Sequence, residues 1–470
     1  MKTYLGGFSV FALGVLLGAT GCGPAAGDTG APDAMGEDVG ANQAPVAFGV
    51  DDRQDVHAHG YGVLRARARQ STVALMSPGD LNMSNPGNVT FNAHVRTLRV
   101  RENLCATERF LDDPAVANCS GTLIDDDLVL TAGHCLNNDW DCANTRFVFK
   151  FYRTSASTME LITTQDIFSC QSLVVRQYGT TPDGRTLDYA IARLDRSAVP
   201  RFAPAPVRLE DSPLSTGQRV AVIGASSHIP FKIDSGGLVR TTRSSTLDYF
   251  VTNSDVFAGN SGSAVYELSD STVAGIVVTG DRNDYRANGS CNVVNVCTET
   301  TCAVPRATYV RRAIESLCAV APQQKVCRSL RPLKLYWNLG AGDNYSTSTA
   351  AGDDSAIAAD YNFIRAEAYV FSTPQPGTVP LQQYWSAARG DNFITATSVG
   401  EQSAISAGYT FARLEGYVYP TPQPGTVPLK LYWSAQHGDN FTTATASGEQ
   451  DALSAGYNFV RVEGYVFPAP

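Results

Sequence analysis

The sequence predicts an all-β protein in two parts: a barrel-type domain over residues 47–327 and a β-rich module of three repeats over 332–470. Three observations lead there. Short apolar runs recur through the first part, among them Val73-Ala74-Leu75-Met76, Leu128-Val129-Leu130, Phe147-Val148-Phe149, Val220-Ala221-Val222-Ile223 and Gly275-Ile276-Val277-Val278. Their length and β-branched content suit buried strands. Glycine (41) and proline (24) are abundant, which favours turns over long helices. Only Val310 to Cys318 reads as a helix. Finally, Trp337, Trp385 and Trp433 recur 48 residues apart.

The frame repeats around each tryptophan. Leu335-Tyr336-Trp337, Gly342-Asp343-Asn344-Tyr345 and Tyr369-Val370-Phe371 return as Leu431-Tyr432-Trp433, Gly438-Asp439-Asn440-Phe441 and Tyr465-Val466-Phe467. Each copy reads as strand, Gly-Asp-Asn turn, strand, short polar helix or loop, then two strands around Glu-Gly. A single copy cannot bury its aromatic face alone, so the three must close on one another. Three copies of this size predict a β-trefoil, with a small propeller as the alternative. Pro374-Gln375-Pro376-Gly377 and Pro422-Gln423-Pro424-Gly425 read as stiff joints between copies.

The first residues read as an export signal, with Lys2 before the apolar run Phe8 to Leu17, too short to span a bilayer. Gly18-Ala19-Thr20-Gly21-Cys22 resembles a bacterial lipobox with Ala19 where that motif prefers Leu. Residues 1–22 are therefore expected to be a signal ending in a lipidated Cys22; cleavage at an ordinary secretory site is the alternative. Contact with a membrane is expected only through that anchor. Eleven cysteines less Cys22 leave an even number, suited to disulfides in an oxidising compartment. Residues 23–46, without Lys or Arg, are too polar and small to fold and read as a tether or propeptide. A formal net charge of −9 argues against nucleic acid.

Two distant strings carry chemistry: Thr131-Ala132-Gly133-His134-Cys135 and Gly259-Asn260-Ser261-Gly262-Ser263. Between them Asp188 leads the apolar run Tyr189-Ala190-Ile191-Ala192. A serine hydroxyl is a weak nucleophile at neutral pH and needs a positioned base. His134 would take the Ser261 proton, Asp188 would orient the imidazole, and the N–H groups of Gly259 and Ser261 would hold the oxyanion. Each assignment has a plain structural rival. His134 could be a buried histidine, and Asp166, Asp183 and Asp195 compete with Asp188, which wins on its apolar flank. Asp234-Ser235-Gly236-Gly237 is a decoy, because no glycine stands where the oxyanion N–H is needed. His57 and His59 lack a third ligand, so no metal is expected, and the chemistry needs no cofactor.

These residues resemble the trypsin-like serine peptidase superfamily, and more closely its bacterial glutamyl-endopeptidase-like branch. The resemblance spans roughly 47–312 and rests on Phe48-Gly49-Val50-Asp51-Asp52-Arg53, on Cys119-Ser120-Gly121-Thr122-Leu123-Ile124 through His134-Cys135, and on Gly259 to Ser263. It implies a chymotrypsin-like double β-barrel of two six-stranded barrels with the triad in the cleft between them. Two departures stand out. Asn260 occupies the place of the trypsin Asp that pairs with a freed N-terminal ammonium, so that mode of activation should be absent. Val277 stands where glutamate-cleaving relatives carry a specificity His, and Asp255 falls where trypsins keep the acid that binds Arg or Lys. Both are expected in the specificity pocket, with a slight preference for basic substrates.

Cys119–Cys135 is the expected disulfide, with Cys142–Cys170 and Cys318–Cys327 plausible; Cys105, Cys291, Cys297 and Cys302 stay unpaired at this level. The C-terminal array resembles a tandem repeat family of unknown function. Its tryptophans and Tyr-Val-Phe ends are expected in the core, while Asp343, Asp391 and Asp439 are either turn caps or shallow surface contacts to glycans. The expectation is an exported serine endopeptidase acting on protein or peptide substrates, with a β-rich binding module. The rival is an inactive surface binding or adhesion protein.

Overall fold

Strand after strand in the first part is buried on both faces, and the reason is where those faces point. The computed structural model describes residues 47–279, 284–297 and 304–470. Cys22, the expected leader and tether, and Cys302 lie outside them. Thr186–Leu194, Leu128–Thr131, Cys119–Leu123, Thr72–Met76, Arg146–Val148 and Ile167–Thr180 close, in that order, into a six-stranded barrel. Val73, Leu75 and Val129 point into its core with Phe147, Phe149 and Phe168. Ala74, Met76, Leu130 and Ile191, on the opposite faces, join a larger core shared with Ala221, Ile223, Ala264 and Ile276 of the second sheet. Period-two alternation thus feeds two cores at once, which is why the runs read as continuously apolar.

The second sheet departs from the expected six strands. It has eight, in the order Val239–Thr241, Tyr249–Thr252, Arg306–Tyr309, Val273–Thr279, Ala264–Glu267, Val220–Gly224, Lys232–Asp234 and Gln54–Asp55. A bridge between Arg219 and Leu238 curls it back toward itself. One of the two additional strands, Gln54–Asp55, comes from the N-terminal stretch. The helix Val310–Val320 then packs Val310, Ala313, Ile314 and Leu317 onto the shared core.

The repeats differ from the trefoil expectation. Each contributes three strands and a nine-residue helix, whereas a trefoil copy is built of strands alone. The long strands Leu330–Asn338, Val379–Ser386 and Val427–Ser434 each pair with a short partner (Asp343–Thr347, Asp391–Thr395, Asp439–Thr443) and a long one (Asn362–Phe371, Thr410–Val418, Asn458–Pro468). The helices Ala350–Ala358, Ser398–Ser406 and Ala446–Ser454 are N-capped by Thr349, Thr397 and Thr445. The expected pair of strands around Glu-Gly is one strand with a bulge. Leu381 pairs with Gly416 and Gln382 with Leu414, so Glu415 is the extra residue; Glu367 and Glu463 are bulged in the same way.

Those bulges close the array. Glu367 accepts from the Thr443 and Thr445 hydroxyls at 2.6 and 2.8 Å, Glu463 from Thr395 and Thr397 at 2.6 and 2.9 Å, and Glu415 from Thr347 at 2.8 Å. Each carboxylate therefore reaches into another copy, and the three links form a ring. The tryptophans are not core residues: Trp385 is 39% exposed, and the neighbouring Tyr336, Tyr384 and Tyr432 are buried instead. Strand alternation decides which of the adjacent pair turns inward.

The two parts share a buried polar interface. Arg67 of the helix Gly62–Gln70 pairs with Asp353 at 3.1 Å, and Lys334 pairs with the same carboxylate. Gln70 donates to the Tyr336 hydroxyl at 3.0 Å, and Tyr369 donates to Asp126.

Candidate active site

His134 follows directly on the strand Leu128–Thr131, in a single helical turn over Gly133–Cys135, and Asp188 sits on the adjacent barrel strand. The His134 Nδ1 lies 2.7 Å from Asp188 Oδ2, while Oδ1 accepts the His134 main-chain N–H at 3.0 Å. One carboxylate thus fixes both the ring and the backbone of the histidine, leaving Nε2 as the remaining ring nitrogen. Gly133 makes this approach possible: a Cβ there would strike Gln177 O and meet Asp188 Oδ1 at 3.0 Å. Asp166, one rival acid, instead pairs with Arg201 at 2.7 Å, and Asp183 and Asp195 pair with neighbouring arginines.

Ser261 is brought against the histidine turn from the second sheet. Ser120 N–H donates to Ser261 O at 2.8 Å, and the Cys135 sulfur lies 3.8 Å from the same oxygen. Cys135 is bonded to Cys119, which straps the histidine turn to the strand behind it. Gly262, at φ +82°, packs where a Cβ would strike Ser120 O and Thr131 Oγ1. Gly259, at φ +90°, is forced by its approach to Ala225 O and His228. Neither the Gly259 nor the Ser261 N–H donates to a partner among the described residues. Both remain available for an oxyanion.

Asn260 is satisfied locally: its Oδ1 accepts from Phe257 N–H at 3.3 Å and its amide donates to Ser263 Oγ at 3.1 Å. The decoy Asp234-Ser235-Gly236 is structural, with Asp234 accepting the N–H groups of Gly236 and Asp255.

The two expected specificity residues are placed differently. Asp255 is 3% exposed, and its oxygens accept the Phe48 and Asp52 N–H groups at 2.8 and 3.0 Å. It anchors the N-terminal stretch and offers no free carboxylate to a basic side chain. Burial pushes its pKa up, to about 7, beside the equally buried Asp234. Val277 is buried among Val222, Val256 and Val265; only its backbone serves the site, accepting the Gly262 N–H at 2.7 Å.

Some contributors were not identified from sequence. Ser120 Oγ donates to Gly259 O at 2.8 Å and accepts the Ala225 N–H at 2.8 Å, tying down the loop that carries Gly259 and Ser261. Its place between Cys119 and Gly121 was the available signal. Arg53 lies over the Phe257 ring at 3.3 Å and is held by Asp51 at 2.8 Å, bracing the same loop from the N-terminal stretch. Cys105 pairs with Cys291 across 186 residues, and Cys142–Cys170 and Cys318–Cys327 are also bonded.

The model of the trypsin-like peptidase domain matches residues 119–276, and that of a domain of unknown function, DUF5648, matches 333–467. No curated protein matches. Similar solved structures include a Glu endopeptidase in complex with MPD (17% identity, TM-score 0.35), covering 59% of this chain and all of its own. The inactive form of the Rv3671c protease (15%, TM-score 0.31) covers 56% of this chain and 93% of its own. Human heparin binding protein (14%, TM-score 0.35) covers 57% and 97%. The chain carries a trypsin-like peptidase domain of the serine type, followed by a domain of unknown function.

Proposed function

We propose that the protein is an exported serine endopeptidase that cleaves peptide bonds through His134, Asp188 and Ser261. The observation that carries this reading is the double hold of Asp188 on His134, through Nδ1 at 2.7 Å and the main-chain N–H at 3.0 Å. Ser261 Oγ attacks the scissile carbonyl as its proton passes to His134 Nε2, and the oxyanion takes the N–H groups of Gly259 and Ser261. The imidazolium gives its proton to the departing amine. Water then attacks the acyl-enzyme, with His134 again taking the proton, and releases the acid and free Ser261. Asp188 holds the tautomer that keeps Nε2 free to accept.

The test is fluorophosphonate labelling of the purified protein beside Ser261→Ala and Asp188→Asn, followed by cleavage-site profiling on a peptide library. Ser261→Ala abolishes labelling, and Asp188→Asn slows turnover by about four orders of magnitude, as expected when the wrong tautomer is held. Absence of wild-type labelling would favour the inactive binding protein. Since Asp255 is engaged by main chain, profiling is expected to show no preference for Arg or Lys. Export with lipidation at Cys22 belongs to the same proposal; mass spectrometry of the mature N-terminus distinguishes a lipidated Cys22 from a start near Ala47.

The repeats are proposed to bind a glycan, though not through the Gly-Asp-Asn aspartates, which are buried. Two equivalent grooves between copies support the reading. One, of about 620 Å³, is lined by Trp337, Arg365, His437 and Tyr457, and the other, at the equivalent position but of about 260 Å³, by Trp433, Arg461, Arg389 and Tyr409. A flat aromatic face beside charged donors suits a sugar ring. Polysaccharide pull-down by the full chain, lost in Trp337→Ala, would support this; no binding to any polysaccharide would remove it.

A further inference from the structure

The Gly-Asp-Asn turns of the three copies converge. Asp343, Asp391 and Asp439 each begin the short strand of a repeat, and the threefold closure brings them together at its axis. They are only 6%, 2% and 3% exposed. One carboxylate oxygen from each lies within 4.8 Å of the others.

The two oxygens of each carboxylate are treated differently, and in the same way three times. Oδ2 accepts a hydroxyl from a tyrosine of its own copy: Tyr361 to Asp343, Tyr409 to Asp391, Tyr457 to Asp439. Asn344 adds a donor to Asp439 Oδ2 at 2.7 Å, and Asn440 one to Asp391 Oδ2 at 2.9 Å. Oδ1 of all three is buried with no hydrogen-bond partner. Buried polar atoms are rarely left unmatched, and the same one in all three copies of a clustered carboxylate is not accidental packing. The donors on Oδ2 favour ionised carboxylates, as outer-shell partners of metal ligands do. Three carboxylates withdrawn from water repel one another when ionised, and either shared protons or a cation between them relieves that repulsion.

We propose that these aspartates form an axial site for a hard divalent cation, of which Ca2+ fits best. The offered ligands are oxygen, with no histidine or cysteine sulfur among them, which selects Ca2+, Mg2+ or Mn2+ over zinc or copper. An ion at the centre of oxygens within 4.8 Å of one another stands no more than about 2.8 Å from each. A small inward shift gives the roughly 2.3–2.6 Å of a Ca2+–oxygen bond, whereas Mg2+ needs about 2.1 Å. Such an ion pins the three copies together on the face of the array where the aspartates meet, and it explains why Asp stands at the same place in every turn.

The test uses the full chain carrying Ser261→Ala to prevent self-cleavage. It is stripped with EDTA, then titrated with Tb3+ under tyrosine excitation and, separately, with Ca2+ by calorimetry. One ion should bind per chain, with Tb3+ emission sensitised by the adjoining tyrosines and quenched by excess Ca2+. Asp391→Asn should abolish the emission, and Tyr409→Phe, the gentler change, should weaken binding about tenfold. If Asp391→Asn does not fold, Tyr409→Phe decides. Absence of both emission and Ca2+ heat would overturn the proposal. So would binding that neither substitution alters, since the ion would then lie elsewhere.

Discussion

Ser120 and Gly259 meet at 2.8 Å, hydroxyl to carbonyl, across the boundary between the two barrel sheets. The same hydroxyl accepts the Ala225 N–H, so one side chain ties the Gly259–Asn260 peptide to Ala225. Ser120→Ala leaves a buried donor and a buried acceptor unmatched, at a cost of about 1–3 kcal/mol. Much of that falls on the orientation of the oxyanion loop. The expected result is a kcat about 10- to 100-fold lower with KM nearly unchanged, and steady-state kinetics on a peptide substrate checks it.

Asp255 gives a prediction that separates anchoring from specificity. Both of its oxygens accept main-chain N–H groups, and an amide keeps only one acceptor. Asp255→Asn should destabilise the N-terminal stretch by about 1–3 kcal/mol while leaving the cleavage-site profile unchanged. Proteolytic susceptibility near Phe48 and library profiling of the same variant measure the two effects.

His228 makes the fold sensitive to acid. Burial, aided by the Arg101 charge, depresses its pKa to about 4, and Nδ1 lies 2.7 Å from Ala117 O. Unfolded, it takes up a proton near pH 6.5; folded, it resists until about pH 4. Between those values the unfolded chain binds more protons, so stability is full above about pH 6.5 and is lost as pH falls toward 4. The slope from this one group is at most about 1.4 kcal/mol per pH unit. Denaturant unfolding at several pH values should show His228→Gln with a shallower dependence across that window.

The joint between peptidase and repeats depends on Asp353, which is fully buried between Arg67 and Lys334. Asp353→Ala strands two buried cations and should cost about 3–5 kcal/mol. An earlier unfolding transition for the repeats, followed by tryptophan fluorescence, is the expected reading.

Where the candidate site rests on a short contiguous string, it was legible. The strings around His134 and Ser261 identify themselves because glycines and small residues must sit at fixed offsets for the backbone to approach so closely. The 48-residue period was equally plain, and with it the need for three copies to close. The helix within each copy and the bulge at Glu415 were blurred, because a polar nine-residue segment carries little periodicity and an extra residue in a strand leaves no mark on composition. The hold of Asp255 on the N-terminal stretch was not legible, because its spacing from Ser261 fits a pocket acid while Phe48 and Asp52, whose N–H groups it accepts, lie more than 200 residues away.

By itself, then, the sequence determined the β-rich class, the repeat period, many of the turns and the residue types available for acid–base chemistry, which follow from local backbone sterics and alternation. Tertiary structure alone decided which carboxylates meet an imidazole, a main-chain amide or one another. Those outcomes depend on distances across the fold, and a charge's role is set by what lies within a few ångströms of it rather than by its neighbours along the chain.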